Sequence, residues 1–362
     1  MILSSESYLL AIEEHLPSVL VSSPAFSDIR AIARELPPAR AAGFECRLGE
    51  EAADADFAVC VDGVLDTLAG RNASVKLNNA IVTSPPWQRL RAFCEGWSDS
   101  SVLQQISNIW LEFDRSHHSM PVLRPSVFFG MKRIKERQKV AEAGLRLLRG
   151  GHLPAQLASA LSLCFSALPT NARVFQVGVM LSRKNMPVRL CLLGITQDQL
   201  LGYLRAIGWP GSTEDVEDVL HSISQHLYLL AVDLDLDGGV GPRLGIECFA
   251  GREYSLANVL NVYPNWEPLL EQLVRLGLCL PNERDALLAW PGYTFRELVF
   301  PSVFFRGLNH VKVVWTPPGV VYAKAYLSFA HAWTAPITEA AKRNINTPAR
   351  GDNASHQPPV DA

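Results

Sequence analysis

Charged and aromatic side chains occupy every second position in several strand-like segments of this 362-residue chain. In VYAKAYLSF, Tyr322, Lys324 and Tyr326 share one face, because successive side chains of a strand point to opposite sides of a sheet. In NIWLEFD, Trp110 and Glu112 share a face in the same way. Side chains of these types on one surface can pair with one another, bind a ligand or move a proton. The spacing therefore indicates sheet faces on which charges and aromatic rings are mixed.

Three more basic residues lie on mixed faces of this kind. Arg189 belongs to VRLCLLG, Arg243 to RLGIECF and Lys312 to HVKVVW, and in each segment the apolar residues alternate with the charged face. One face of each strand is thus suited to packing, while the other needs polar partners or a ligand.

The elements that carry these residues recur along the chain. Two strand-like runs separated by a short turn occur five times, with Asp237-Gly238 and Pro318-Gly319 as strong turn signals. The five hairpins span about residues 44–63, 107–130, 172–194, 227–250 and 310–330. Helical patterns lie between them; one begins with a capping box at Thr196 and Gln199.

Ten antiparallel strands joined by helices predict an α+β protein. Closing the sheet into a barrel removes its exposed edges, and the helices then cover the outside. An open sheet with helices on one side and water on the other also satisfies the alternation. Trp110, Tyr322 and Tyr326 on the mixed faces favour the barrel, since aromatic rings are costly to leave in bulk water. We expect one barrel domain over residues 1–335 and a disordered tail, rich in Pro, Asn, Ser and Asp, over 336–362.

Repeated αββα units that close a ten-stranded antiparallel barrel, with helices outside, resemble the ABBA-type aromatic prenyltransferases, or PT barrels. The resemblance covers about residues 40–330, and Lys324-Ala-Tyr326 matches the short Lys-x-Tyr strand pattern of that family. It implies a transferase that moves an isoprenoid from an allylic diphosphate to an aromatic or peptide acceptor inside the barrel. The family lacks the Asp-rich magnesium motif, no DDxxD occurs here, and we expect neither a metal nor another cofactor.

The resemblance also implies roles for the residues of the mixed faces. Basic side chains would neutralise the diphosphate, aromatic faces would stabilise the allylic cation, and Glu112 would orient the acceptor or take its proton. The residues expected to bind substrate are Trp110, Arg189, Arg243, Lys312, Tyr322, Lys324 and Tyr326.

Structural alternatives exist for the charged residues. Glu112 and Asp114 can pair with Arg or Lys on neighbouring strands, and Lys324 can be the cross-strand partner of Glu247. The matching functional alternative is a protein that binds a peptide or small molecule without chemistry, within the biosynthesis of a natural product such as a modified peptide. A fold by itself does not decide between the two.

Composition excludes several classes of protein. Lys and Arg number 33 against 36 Asp and Glu, so the net charge of −3 gives no sign of a nucleic-acid partner. No uncharged apolar run is long enough to span a membrane, the N-terminus does not have the pattern of a signal peptide, and seven cysteines occur singly. We therefore expect a cytoplasmic protein with reduced cysteines.

One metal-like motif has another explanation. Asp233-x-Asp235-x-Asp237-Gly238 resembles the start of a calcium-binding EF-hand loop, but Leu244 stands where the loop needs a glutamate. The alternation favours a strand that runs into a turn.

Overall fold

The fold is a closed β-barrel with helices packed on its outer surface. The computed structural model describes residues 4–50, 53–61, 68, 79–115, 123–131, 136–251, 265–298, 300–316 and 319–334. The predicted tail and its boundary with the barrel domain lie outside the described residues.

The selected residues of the mixed faces all lie on β-strands. The strands are β1 Ala41–Leu48, β2 Ala55–Cys60, β3 Asn108–Phe113, β4 Ser126–Gly130, β5 Arg173–Val179, β6 Val188–Leu193, β7 Leu229–Leu236, β8 Val240–Phe249, β9 Gly292–Glu297, β10 Pro301–Thr316 and β11 Val320–Trp333.

Helices precede β1 and fill the connections between successive hairpins. The α-helices are α1 Ser5–Ile12, α2 Ser23–Arg34, α3 Asn79–Val82, α4 Pro85–Asp99, α5 Arg137–Leu148, α6 Ala155–Ser166, α7 Gln197–Ala206, α8 Thr213–Ile223, α9 Glu267–Arg275 and α10 Pro281–Ala289. Short 3-10 turns lie at Glu13–His15, Leu103–Gln105 and Ser224–His226. The predicted capping box is present at the start of α7, where Gln199 accepts a hydrogen bond from the Thr196 backbone N–H.

Ten of the described strands close the barrel. Each of β1 to β8 pairs antiparallel with its neighbours, β8 pairs with β10, β10 with β11, and β11 returns to β1. The closing register places Glu45 of β1 opposite Tyr326 of β11, and Arg47 opposite Lys324. The prediction of an α+β protein with a ten-stranded antiparallel barrel is confirmed.

Strand β10 is long enough to serve two neighbours. Its last part, from Val311 to Trp315, pairs with β8, whereas its first part, from Pro301 to Arg306, pairs with the additional strand β9. A bulge between Leu308 and His310 separates the two parts. One extra residue shifts the alternation. Even-numbered residues therefore point to one face of the sheet before the bulge and to the opposite face after it.

The apolar faces of the strands point outward, toward the helices. Val311 and Val313 are fully buried on that face. Phe129 of β4 packs against Phe93 of α4 with ring centroids 5.4 Å apart, and Tyr8 of α1 packs against Phe304 of β10 at the same separation. The helices thus bury the outer surface of the barrel, while the mixed faces remain inside.

Candidate functional site

The barrel interior contains a chamber of about 710 Å³. Its lining reaches the first residues of β3 and β5, Asn108 and Arg173, and the last residues of β4 and β6, Gly130 and Leu193, but includes no residue of the described hairpin turns. The chamber therefore lies toward the end of the barrel at which strands join helices, which we call the helix end. We call the opposite end the hairpin end.

Five of the eight predicted site residues line this chamber, namely Trp110, Glu112, Arg189, Lys312 and Tyr326. The other three, Arg243, Tyr322 and Lys324, do not line it. They sit on the strand portions nearer the hairpin end, since Arg243 and Tyr322 lie close to the turns of their hairpins. The mixed faces thus form two layers: a chamber layer and a layer of charges beneath it.

Arg189 is held by a carboxylate in this charged layer. Its guanidinium donates two hydrogen bonds to Asp235, from Nε to Oδ1 at 2.7 Å and from Nη2 to Oδ2 at 3.1 Å. Arg243 Nη1 lies 3.7 Å from the same carboxylate. Burial alone would raise the pKa of Asp235, but the two positive charges outweigh it and lower that pKa to about 2. The two arginines thus share one carboxylate.

Lys312 lies between two carboxylates. Its Nζ is 2.5 Å from Asp233 Oδ2 and 3.1 Å from Glu247 Oε1, and it lies 4.7 Å from the centroid of the Tyr326 ring. Glu247 is its direct cross-strand neighbour, whereas Asp233 is one strand further away. Lys312 reaches Asp233 across Gly245, where an added Cβ would lie only 3.2 Å from Lys312 Cδ. A glycine at this position leaves room for the crossing.

Lys324 pairs with Glu45 on the neighbouring strand β1, not with Glu247. Burial opposes ionisation of Glu45, but Lys324 and Lys312 outweigh burial and lower the pKa of its carboxyl. Beside this pair, the Arg47 guanidinium stacks over Tyr322, 4.3 Å from the ring centroid. Among the described residues, Lys324 and Tyr322 therefore belong to a packed cluster below the chamber.

Glu112 differs from the other acids of the interior. Its carboxyl lines the chamber, and it has no hydrogen bond or ion pair with another described residue. Burial, followed by the negative charge of Glu45, raises its pKa to about 8. Glu112 is therefore mostly protonated at neutral pH and can donate a hydrogen bond to a molecule in the chamber, or accept a proton once it is ionised.

His310 is a chamber residue that the sequence analysis did not select. Its ring stacks on Tyr326 with centroids 4.0 Å apart and an interplanar angle of 21°. Burial, then the positive charge of Lys312, lowers the pKa of His310 to about 3, so the ring is neutral. Neither ring nitrogen has a hydrogen-bond partner among the described residues.

Other residues of the chamber lining were not predicted from the sequence. Most of them could have been predicted from strand alternation. Phe128 lies on the inward face of β4, and Asp233 lies on the inward face of β7 within the segment first compared with a calcium loop. The remaining unselected side chains of the lining include Asn108, Arg137, Arg173, Phe175, Gln176, Cys191, Phe249 and Asn309.

The lining of the chamber suits an organic molecule better than an ion. Six Phe, Trp and Tyr residues line it, the two cations at its floor are paired with acids, and Glu112 carries a proton at neutral pH. Within the described ranges, no three His, Cys, Asp or Glu side chains are placed to hold a metal ion. Burial raises the pKa of the Cys191 thiol, so this chamber residue stays protonated.

Comparisons with known proteins leave the site to be interpreted from its own geometry. No protein-family model matches the chain, and no curated protein matches it either. Among the helices of the described residues, none combines the length and apolar character that crossing a membrane requires.

Proposed function

We propose that the chamber binds a largely aromatic or apolar organic molecule, or an aromatic side chain of a peptide, through a hydrogen bond to Glu112. One observation carries this proposal: Arg189 and Lys312, the cations at the chamber floor, are neutralised by carboxylates, while Glu112 faces the chamber with neither ion pair nor hydrogen bond to a described residue. The protein would serve the biosynthesis of a natural product or modified peptide by holding such a molecule.

The dimensions and walls of the chamber support this proposal. A volume of about 710 Å³ falls within the range of small-molecule sites. Trp110, Phe128 and Tyr326 provide flat apolar surfaces on which an aromatic ligand can stack. Protonated Glu112 supplies a directional contact, since a neutral carboxyl both donates and accepts hydrogen bonds.

Calorimetric titration of the full chain with indole, and with a short tryptophan-containing peptide, tests the proposal. We expect saturable binding that Glu112→Gln weakens about tenfold or less, because the amide keeps the shape and loses part of the hydrogen bonding. Trp110→Ala should abolish measurable binding. The exposed Leu163→Ala of α6 serves as a control and should bind like the wild type. Binding that is absent, or that is unchanged in Trp110→Ala, would contradict the proposal.

Transfer of an isoprenoid from an allylic diphosphate to an aromatic or peptide acceptor is the second candidate. The placement of Trp110 and Tyr326 beside Glu112 favours it, because such rings can stabilise an allylic cation next to a proton acceptor. The alternation of helices and hairpins around the barrel also agrees with a PT-barrel arrangement of αββα units. Diphosphate would have to compete with Asp233, Asp235 and Glu247 for the cations.

The chemistry of that transfer sets a pH requirement. The C–O bond between the isoprenoid and diphosphate breaks, a bond forms between the isoprenoid and the acceptor, and the acceptor loses a proton. Glu112 can take that proton only when ionised, and its pKa is about 8. Turnover would therefore increase from pH 6 to pH 9, and Glu112→Gln would remove the increase.

Incubation with dimethylallyl, geranyl or farnesyl diphosphate and an acceptor, followed by mass spectrometry, tests this second function. Thermal shift with the same diphosphates, against inorganic diphosphate as control, tests binding separately. Prenylated product that Lys312→Met and Arg243→Ala reduce would support transfer. The absence of both product and a chain-length-dependent shift would exclude it.

A further inference from the structure

Two arginines line the chamber at its helix end. Arg137 is the first residue of α5 and Arg173 is the first residue of β5, and both belong to the chamber lining. Arg173 is paired in register with Leu193, another lining residue at the same end. Neither arginine belongs to the charged layer at the opposite end of the chamber.

The positive charges of these arginines act on each other. Burial lowers the pKa of Arg137, and the positive charge of Arg173 lowers it further. Two like charges in a partly enclosed site disfavour each other unless an anion is shared between them.

Arg173 also differs from the cations at the chamber floor. Arg189 and Lys312 each lie within 3.1 Å of a carboxylate oxygen. In the part of the chain that the structure describes, no carboxylate lies within 4.0 Å of the Arg173 guanidinium. Asn108, Gln176 and Asn309 line the same end and offer amide groups as further hydrogen-bond donors. At the helix end, which forms the rim of the chamber, Arg173 thus has no carboxylate partner among the described residues, whereas the cations of the floor are neutralised.

We propose that Arg137 and Arg173 bind an oxyanion, a carboxylate or a phosphate, on a ligand whose aromatic or apolar part fills the chamber. Guanidinium groups suit this task because their planar set of donors matches the oxygens of either group. The inference rests on the proposed function for the body of the ligand and adds its charge and orientation. The anionic end lies at the rim, and the aromatic end points toward Glu112.

A matched pair of ligands tests the rim directly. Indole-3-butyrate and its neutral amide have nearly the same shape, and calorimetry on the full chain at low salt gives the affinity of each. We expect the wild type to bind the carboxylate at least tenfold more tightly than the amide. Arg173→Gln and Arg137→Gln should bring that ratio close to one, chiefly by weakening the binding of the carboxylate. Arg205→Gln, an exposed arginine of α7, is the control and should keep the wild-type ratio.

A second set of ligands identifies whether the oxyanion is a phosphate or a carboxylate. Phenylbutyl phosphate, phenylbutyrate and inorganic phosphate are compared on the wild type and on Arg173→Gln. Tighter binding of the phosphate ester, with competition by inorganic phosphate, assigns a phosphoryl group; the reverse order assigns a carboxylate. Both assignments support the rim site only if Arg173→Gln weakens binding.

The outcomes separate this inference from the proposed function. Equal affinities for the carboxylate and the amide in the wild type would overturn the rim site and leave chamber binding intact. If neither indole ligand binds, chamber binding fails; the rim site also fails if the thermal shift with inorganic phosphate is the same in the wild type and Arg173→Gln. Circular dichroism and the thermal midpoint of each variant verify that it is folded.

Discussion

The guanidinium of Arg189 and the carboxylate of Asp235 face each other across β6 and β7 and form two nearly parallel hydrogen bonds, at 2.7 and 3.1 Å. The same carboxylate also lies near Arg243. Two buried or partly buried cations therefore share one carboxylate beneath the chamber. The charged layer is a structural network whose members depend on one another.

Removal of Asp235 should be costly for that reason. Asp235→Ala leaves Arg189 buried without its counter-charge, and we expect a loss of about 3 to 5 kcal/mol in the free energy of unfolding. Urea denaturation at pH 7 measures this loss. Asp285→Ala is the matched control, since Asp285 forms an exposed pair with Arg284 and should cost at most about 1 kcal/mol. Similar losses in the two variants would show that the network contributes little.

The pair between Lys324 and Glu45 gives a prediction about coupling. Lys324→Met leaves the Glu45 carboxylate uncompensated in the interior, while the double variant Lys324→Met/Glu45→Gln removes both charges. The double variant should therefore be less destabilised than the sum of the single variants, with a coupling energy of about 1 to 3 kcal/mol. A double-mutant cycle in urea measures it. Additive single losses would mean that the contact adds no stability.

Glu112 should make the stability depend on pH. Its pKa in the folded protein, about 8, lies above the value of about 4.3 for an unfolded glutamate. The folded state holds this proton more tightly, so the contribution to stability is complete below the unfolded pKa and disappears as the pH rises through about 8. We expect the urea midpoint of the wild type to fall between pH 5 and pH 8.5.

In Glu112→Gln, the fall in the midpoint should be smaller. It should not vanish, because burial also raises the pKa of Asp56, to about 7, and its proton is lost over the same range. Glu95→Gln, on the surface of α4, should keep the wild-type dependence. Identical pH profiles for Glu112→Gln and the wild type would refute the assignment of a protonated Glu112.

Alanine substitutions at two glycines should have opposite effects on the stability of the protein. A Cβ at Gly178 would lie 2.2 Å from the ring of Phe128, its cross-strand partner in the chamber wall. Gly178→Ala should therefore displace Phe128 and cost about 1 to 3 kcal/mol. Gly202, inside α7, has no atom within 4 Å of a Cβ placed there, so Gly202→Ala should stabilise by roughly 0.5 to 1 kcal/mol. Thermal unfolding distinguishes the two, and a neutral Gly178→Ala would argue against this wall geometry.

Alternation, together with the aromatic rings on the mixed faces, predicted which face of the selected strand segments points inward. Lys312 and Tyr326 line the chamber, and Val311 and Val313 face outward, as the spacing indicates. The partner of each charge could not be predicted in this way, because the partner depends on the register between strands. The partner of Lys324, for example, lies on β1, at the opposite end of the barrel sequence.

The pentapeptide PSVFF occurs twice, at Pro125–Phe129 and Pro301–Phe305, and its two copies show that a local pattern does not determine which face a side chain takes. In the first copy, Phe128 points into the chamber and Phe129 points outward. In the second copy, the equivalent Phe304 packs outward on Tyr8, while Phe305 lies on the inward face. The bulge after Leu308 reverses the order, and nothing in the five repeated letters indicates it. Arg137 was missed for a different reason, since it reaches the chamber from a helix.

The register that pairs Ala41 with Ala330 has a consequence for the synthesis of the protein. The ribosome makes β1 near the start of synthesis and β11 near its end, roughly 15 to 60 seconds later at the usual rates of elongation. Throughout that interval, β11 has not been made. The edge of β1 that pairs with β11 and the carboxylate of Glu45 therefore lack the partners that they have in the folded protein. Until the final hairpin is made, this edge of β1 therefore exposes unpaired backbone N–H and C=O groups, which are a template for pairing with other strands.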